Sequence, residues 1–209
     1  MLHVVKHPLI EHKLTYLRSK ETSKKQFWEL INEISMLLMY EATRDLLTEP
    51  KKVTTPLTET VGHIISGKKL VLAPILRAGL GMMEGMLKLV PSARVAHIGI
   101  YRDEENNSKP VVYYFKIPKH SISERQWFVI DPMLATGGSI NAAIDMLKAE
   151  GAKDIKVITI ISAPQGIDIV RRTHRDVTII TAAVDSGLND MNYIMPGLGD
   201  AGDRLFGTK

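Results

Sequence analysis

The sequence predicts an α/β fold with a mainly parallel sheet flanked by helices, and three observations carry that reading. Runs such as KKLVLAPI (68–75), QWFVID (126–131), IKVITIIS (155–162) and VTIITAAVD (177–185) are continuously apolar and rich in Val and Ile. Strands buried on both faces read this way, whereas half-exposed strands alternate. Helical spacing separates these runs, and strands that alternate with helices wind into parallel sheets. Finally, 209 residues with 44% hydrophobic and 24% charged content suffice for one full core, so residues 1–209 are expected to form a single domain.

Taken in order, residues 22–46 place Phe27, Leu30, Ile31, Ile34, Leu37 and Leu38 at helical spacing, with Thr22 or Ser23 as cap. That stripe suits a core or a subunit interface. Pro50 and Pro56 mark a turn-like stretch before the strand at 68–75, and AGLGMMEGMLKLV behind it has helical spacing. RVAHIGI (94–100) and VVYYFKI (111–117) follow as strands, the second an antiparallel edge or hairpin after the polar RDEENNSKP. Helices are expected at 139–150 and near 166–173. No internal repeat or low-complexity segment is present.

The net charge of +4 and pI of about 9.2 favour anionic ligands. The basic pairs at 24–25, 51–52, 68–69 and 171–172 are dispersed, which gives no clustered face for nucleic acid. No apolar run approaches the roughly 18–20 residues that cross a bilayer, and MLHVVKHPLI lacks a signal-peptide pattern. A cytoplasmic protein without a membrane partner is expected. The absence of cysteine excludes disulfides and thiolate metal sites. The seven histidines show no metal-binding spacing and receive no role.

Ligands of open α/β sheets bind outside the carboxyl ends of the strands, and three such ends here are unusual. In VIDPMLATGGSI a strand ends at Asp131, then a short loop runs through Thr136, Gly137, Gly138 and Ser139 into a helix. Glycines let N–H groups converge, and a helix start adds orphan donors, so this loop can cradle a phosphate. A plain turn capped by Ser139 is the alternative. No lysine follows the glycines, which excludes a nucleotide triphosphate P-loop. PILRAGLGM (74–82) puts Arg77 in a tight strand-to-helix loop, where its fork can grip a diphosphate. Arg102 starts a polar loop long enough to act as a lid; a solvated hairpin tip is the alternative. The last segment, YIMPGLGDAGDRLFGTK, has by composition the look of a flexible tail.

A strand ending in an acid, then ATGGS and a helix, resembles the ribose-phosphate signature of type I phosphoribosyltransferases, whose donor is 5-phosphoribosyl 1-diphosphate (PRPP). Pro132 replaces the second acid most of them carry, and DPMLATGGS in that form is similar to the uracil phosphoribosyltransferase branch. PILRAGLGM, the YR of residues 101–102 and the terminal segment resemble the same branch, in the same order, over nearly the whole chain. The resemblance implies a type I core with an N-terminal helical segment and a small C-terminal hood at 186–209. It implies a PRPP site of Arg77, Arg102, Asp131, Pro132, Met133, Leu134, Ala135, Thr136, Gly137, Gly138, Ser139 and Asp200. Asp131 would hold ribose hydroxyls, residues 135–139 the 5′-phosphate, and the two arginines the diphosphate. Main-chain groups of Ile194, Gly199 and Ala201, with Asp200 beside them, would read uracil, and Asp200, Arg77 and Arg102 would carry the catalysis. It also implies Mg²⁺ carried in on PRPP without direct protein ligands, a homo-oligomer of two or more chains, and a GTP effector as in some relatives. Trp28 departs from the branch, which commonly has arginine in FREL, and so removes any charge-based contact there. An RNA-binding regulator on the same fold and transfer to another base are the competing readings.

Overall fold

The computed structural model describes residues 1–103 and 109–208, with the side chains of 102, 103 and 109 outside the description. The chain opens with β1 (Leu2–Val4), α1 (Pro8–Arg18) and α2 (Lys24–Ala42). β2 (Thr48–Thr54) and β3 (Glu59–Ile65) follow, then β4 (Val71–Leu76), α3 (Leu80–Leu89), β5 (Arg94–Val95), β6 (His97–Asp103) and β7 (Lys109–Lys116). After a 3-10 turn at Ile122–Glu124 come β8 (Gln126–Ile130), β9 (Met133–Leu134), α4 (Gly138–Ala149), β10 (Asp154–Ser162), α5 (Pro164–Thr173) and β11 (Thr178–Val184). β12 (Gly187–Leu188), β13 (Ile194–Met195) and α6 (Ala201–Phe206) complete the chain.

The main sheet runs β1-β11-β10-β8-β4-β6-β7, parallel throughout except for the antiparallel β6–β7 pair. Alternate residues of one strand enter opposite cores. Phe128 and Ile130 face the core that also holds Leu38, Met82 and Leu205, while Trp127 and Val129 face the one built on Ile144 and Val170. Both faces are therefore covered, which explains the uniformly apolar runs. α2 begins with a capping box between Ser23 and Gln26.

Two expectations change and one is extended. The N-terminus carries the expected helix with a short strand before it: β1 adds to the sheet edge with Leu2 opposite Ile179, and the His7 ring accepts from Leu9 N–H at the start of α1. The stretch around Pro50 is a hairpin, not a turn; nearly all of β2 and β3 is exposed, and an isolated two-stranded hairpin tolerates a proline. Arg102 lies in β6 opposite Pro110 rather than at the start of a loop; its side chain and residues 104–108 of the expected lid lie outside the described residues.

Candidate functional site

β4 leads through α3 to β6 on one side, and β8 leads through α4 to β10 on the other. The winding thus reverses between β4 and β8, and the crevice beyond their carboxyl ends is where such sheets bind ligands. Arg77 follows β4 and Asp131 follows β8.

At the β8 end the chain breaks at Asp131–Pro132 and rejoins the sheet as β9, with Met133 opposite Ile161. The Asp131 carboxylate accepts from Met133 N–H at 3.2 Å. Leu134 is fully buried and Ala135 nearly so, so neither presents its side chain to a ligand. Gly137 takes φ +87°, where a side chain would be strained, and serves as N-cap of α4. Ser139 lies within the first turn of α4, which corrects its alternative reading as the cap. Gly166, which sequence reasoning missed, seats this loop on α5: a Cβ there would stand 2.4 Å from the Ala135 carbonyl oxygen.

At the β4 end, Ile75 to Ala78 form the turn and Gly79 N–H donates to the Ile75 carbonyl at 2.9 Å. The Leu76–Arg77 peptide is cis. Arg77 is more than half exposed, with its guanidinium 5.7 Å from the Phe206 ring centre and 3.9 Å from Asp203.

The terminal segment is ordered by specific bonds. β12 and β13 pair antiparallel with Leu188 opposite Ile194, and the Asn189 side-chain oxygen accepts from the N–H groups of Met191 and Tyr193. Asp200 caps α6 by accepting from Asp203 N–H at 2.8 Å. Ala201 and Leu205 are buried in the same core as α2 and α3.

These three parts meet around a cleft of about 360 Å³ lined by Ile75, Leu76, Arg77, Ala78, Ile100, Tyr101, Tyr113, Asp131, Met133, Ser139, Asp200, Ala201 and Gly202. The fold thus gathers Arg77, Asp131, Met133, Ser139, Asp200 and Ala201 from motifs far apart in sequence. Ile194, with its side chain buried, and Gly199 lie beside the cleft rather than among its lining residues, as do Pro132, Leu134, Ala135, Thr136, Gly137 and Gly138. Sequence reasoning missed the aromatic wall of Tyr101 and Tyr113, whose ring centres are 6.2 Å apart. Gly99 makes room for it, since a Cβ there would meet the Tyr113 ring at 2.7 Å. Trp28 packs edge-to-face on Phe206 and its indole N–H reaches Glu84 at 3.3 Å, which with Lys88 holds that carboxyl below its ordinary range.

Elsewhere, a concavity of about 510 Å³ is lined by Met1, Asp168, Arg171, Arg172 and Arg175. Its three arginines come from one short stretch, residues 171–175, and none of the strand-end motifs reaches it. Among the described residues no group of three or more His, Asp or Glu is placed to hold a metal ion, and no helix is long and apolar enough to cross a membrane.

Known proteins share this fold. Residues 4–208 match the uracil phosphoribosyltransferase family model. A curated uracil phosphoribosyltransferase of Dictyoglomus thermophilum is 58% identical over 209 residues, the full length of both chains. A solved protein of Aquifex aeolicus superposes with a TM-score of 0.94 at 36% identity, over 100% of this chain and 99% of that one. An adenine phosphoribosyltransferase of Trypanosoma brucei, solved with AMP, pyrophosphate and ribose 5-phosphate, matches with a TM-score of 0.54 at 14% identity. It covers 82% of this chain and 69% of its own, and shows the shared fold alone. With strand-end acid, glycine loop and terminal segment meeting at one cleft, and a full-length match at this identity, the chain belongs to the uracil phosphoribosyltransferase family.

Proposed function

We infer that the protein is a pentosyltransferase that moves the 5-phosphoribosyl group of PRPP to uracil, giving UMP and diphosphate in pyrimidine salvage. The observation that carries the reading is the cleft itself, where Asp131 and Ser139 of the phosphate loop face Arg77 on one side and Asp200 to Gly202 on the other. In the reaction the bond from uracil N1 to the anomeric carbon forms as the bond from that carbon to the diphosphate oxygen breaks. Such glycosyl transfers pass through an oxocarbenium-like state.

The protein's share is to place charge and exclude water. N–H groups of residues 135–139, with the hydroxyls of Thr136 and Ser139, hold the 5′-phosphate, and Asp131 holds ribose hydroxyls. Arg77, joined by Arg102, takes the departing diphosphate. Tyr101 and Tyr113 wall the reacting centre from solvent. Main-chain groups of Ile194, Gly199 and Ala201 read uracil's two carbonyls and N3–H. Cytosine would leave buried groups unpaired there, and such a mismatch costs several decades in rate. Asp200 accepts or polarises the N1 proton; its Oδ1 is engaged by Asp203 N–H, which leaves this task to its second oxygen.

Mg²⁺ keeps waters and substrate oxygens as ligands, so it would enter mainly on PRPP, into a cleft that Asp131, Asp200 and Ser139 line with oxygens. Bound on PRPP, it would neutralise the diphosphate as charge develops. Residues 1–209 act as one domain, with 186–209 as its base-binding hood. Exposed Leu57, Val61 and Ile65 on the β2–β3 hairpin favour a homo-oligomer. For a GTP effector, the groove of about 550 Å³ lined by Lys24, Lys25, Trp28, Glu29, Leu205 and Phe206 offers aromatic and cationic groups. A cysteine-free chain has no disulfide that calls for an oxidising compartment, and the reading places it in the cytoplasm.

One assay tests the reading: purified protein with Mg²⁺ and PRPP, offered uracil, cytosine, orotate and hypoxanthine in competition. Uracil is expected to be consumed by a wide margin, and preference for another base overturns the assignment. The same assay on Asp200→Asn is expected to show turnover reduced by about two decades or more; near-normal turnover removes Asp200 from the chemistry.

A further inference from the structure

Arg18 is the last residue of α1, remote in sequence from every motif above, yet its guanidinium reaches the terminal segment. Nη1 donates to Asp185 Oδ2 at 2.7 Å and to the Gly197 carbonyl at 2.6 Å, while Nη2 donates to Asp185 Oδ1 at 2.5 Å. Gly197 N–H donates back to Asp185 Oδ2 at 2.9 Å. The Asp185 side chain is only 5% exposed and that of Arg18 23%. The Arg18–Asp185 pair thus fixes both polar groups of Gly197, the carbonyl through the guanidinium and the N–H through the carboxylate. That residue has φ +68°, and a Cβ on it would stand 2.1 Å from the Ile194 carbonyl oxygen.

A second arginine makes the reciprocal connection. Arg204 of α6 donates to the carbonyls of Leu17 and Ser19 at the end of α1 and to that of Leu198, and it lies 4.2 Å over the Phe27 ring. Residues 197–198 are therefore gripped from both sides, immediately before Gly199, Asp200 and Ala201. Attachment of the segment is already secured by Ile194, Leu198, Ala201 and Leu205, all at most 3% exposed. The polar grip adds control of main-chain shape, which is what a site reading a base through main-chain groups requires.

We propose that Arg18 and Asp185 are positioning residues of the base-reading segment, setting the Gly197–Leu198 main chain and through it Gly199, Asp200 and Ala201, without touching substrate. The proposal rests on the function inferred above and identifies what fixes base selection in that site.

Arg18→Lys is the primary test, because it keeps the charge beside Asp185 while an ammonium lacks the planar fork. In the full-length protein, KM for uracil is expected to rise about tenfold or more while KM for PRPP stays within about twofold, since small misplacements near a reacting group cost up to about a hundredfold. Asp185→Asn should show the same split. Hydrogen exchange without substrate gives a readout independent of activity: amides of residues 197–201 should exchange about tenfold faster in Arg18→Lys, with those of β10 unchanged. Equal increases in both KM values, an unchanged uracil KM, or unchanged exchange at 197–201 each overturn the proposal. If the wild-type protein takes no uracil, the functional reading fails by itself, and the exchange measurement still decides whether Arg18 sets the segment.

Discussion

Gly79→Ala separates two opposed expectations for the turn that carries Arg77. Gly79 has φ −59° and ψ −23°, a conformation alanine adopts freely. Reduced freedom of the unfolded chain alone would then stabilise the variant by about 0.4–1 kcal/mol. Packing says the reverse. A Cβ would stand 2.6 Å from the Ile130 carbonyl oxygen, 2.7 Å from that of Ile75 and 2.8 Å from Ile75 N, all main-chain atoms of β4 and β8. Overpacking of this kind costs about 1–3 kcal/mol; less the entropic gain of about 0.4–1 kcal/mol, the net loss reaches about 2.6 kcal/mol. In a chain of this size that lowers Tm by up to about 10 °C. Relief to an ordinary contact of 3.4 Å or more moves the two turns apart by roughly 0.8 Å. Arg77 stands on one turn and Asp131, next to Ile130, on the other. Because a 1 Å misplacement can cost about a hundredfold, kcat/KM for PRPP should fall by one to two decades. Differential scanning calorimetry and steady-state kinetics with PRPP varied measure both effects. A variant with raised Tm and unchanged kcat/KM would refute the argument, and with it the claim that this glycine spaces the two halves of the site.

Two further outcomes are expected. Removing residues 200–209 should abolish turnover and also weaken the fold, because fully buried Leu205 alone contributes about 1.5–3 kcal/mol and the Arg204 bonds go with it; a truncated chain that still turns over would overturn the placement of the site. His174 is buried, and desolvation with the nearby Lys148 pushes its pKa below the ordinary value despite Asp145 and Asp176. Protonating it therefore costs the folded state more than the unfolded one. Its stabilising share is complete above about pH 6.5 and declines as the pH falls through the folded value. Tm measured from pH 5 to 8 should drop more on the acid side for wild type than for His174→Gln, and parallel curves would contradict this.

What the sequence discloses follows from how local each cause is. β8, β10 and β11 are legible because burial on two faces favours apolar residues at consecutive positions, and the loop after β8 because Asp131 and Gly137 are needed by their own backbone. β1 is three residues long and exists only because β11 offers it an edge, across 177 residues of chain. The Tyr113 wall depends on the register shift at Gly99/Ile100, which cross-strand pairing sets and no run of residues announces. α6 falls between these cases: Asp200 with Asp203 three residues on is a local capping signal, yet four glycines in the surrounding segment hide it.

Recognition through the main chain deepens the same difficulty. A side chain proposed to bind substrate advertises its chemistry in its own identity, as Arg77 and Asp131 do in the reading above. A main-chain group advertises nothing, and its placement is delegated to residues chosen for other properties: Gly197 for its positive φ, Asp185 for its two acceptors, Arg18 for its fork. Arg18 lies on α1, outside any strand-end motif, and Asp185 sits just past β11, 12 residues before Gly197, so motif reading does not connect them. If base selection resides in that arrangement, substitutions at Arg18 should alter which base is taken before they alter how well PRPP is held. Substitutions at Arg77 should do the opposite. That contrast is expected if Arg77 grips the donor through its side chain while the base is read mainly through main chain.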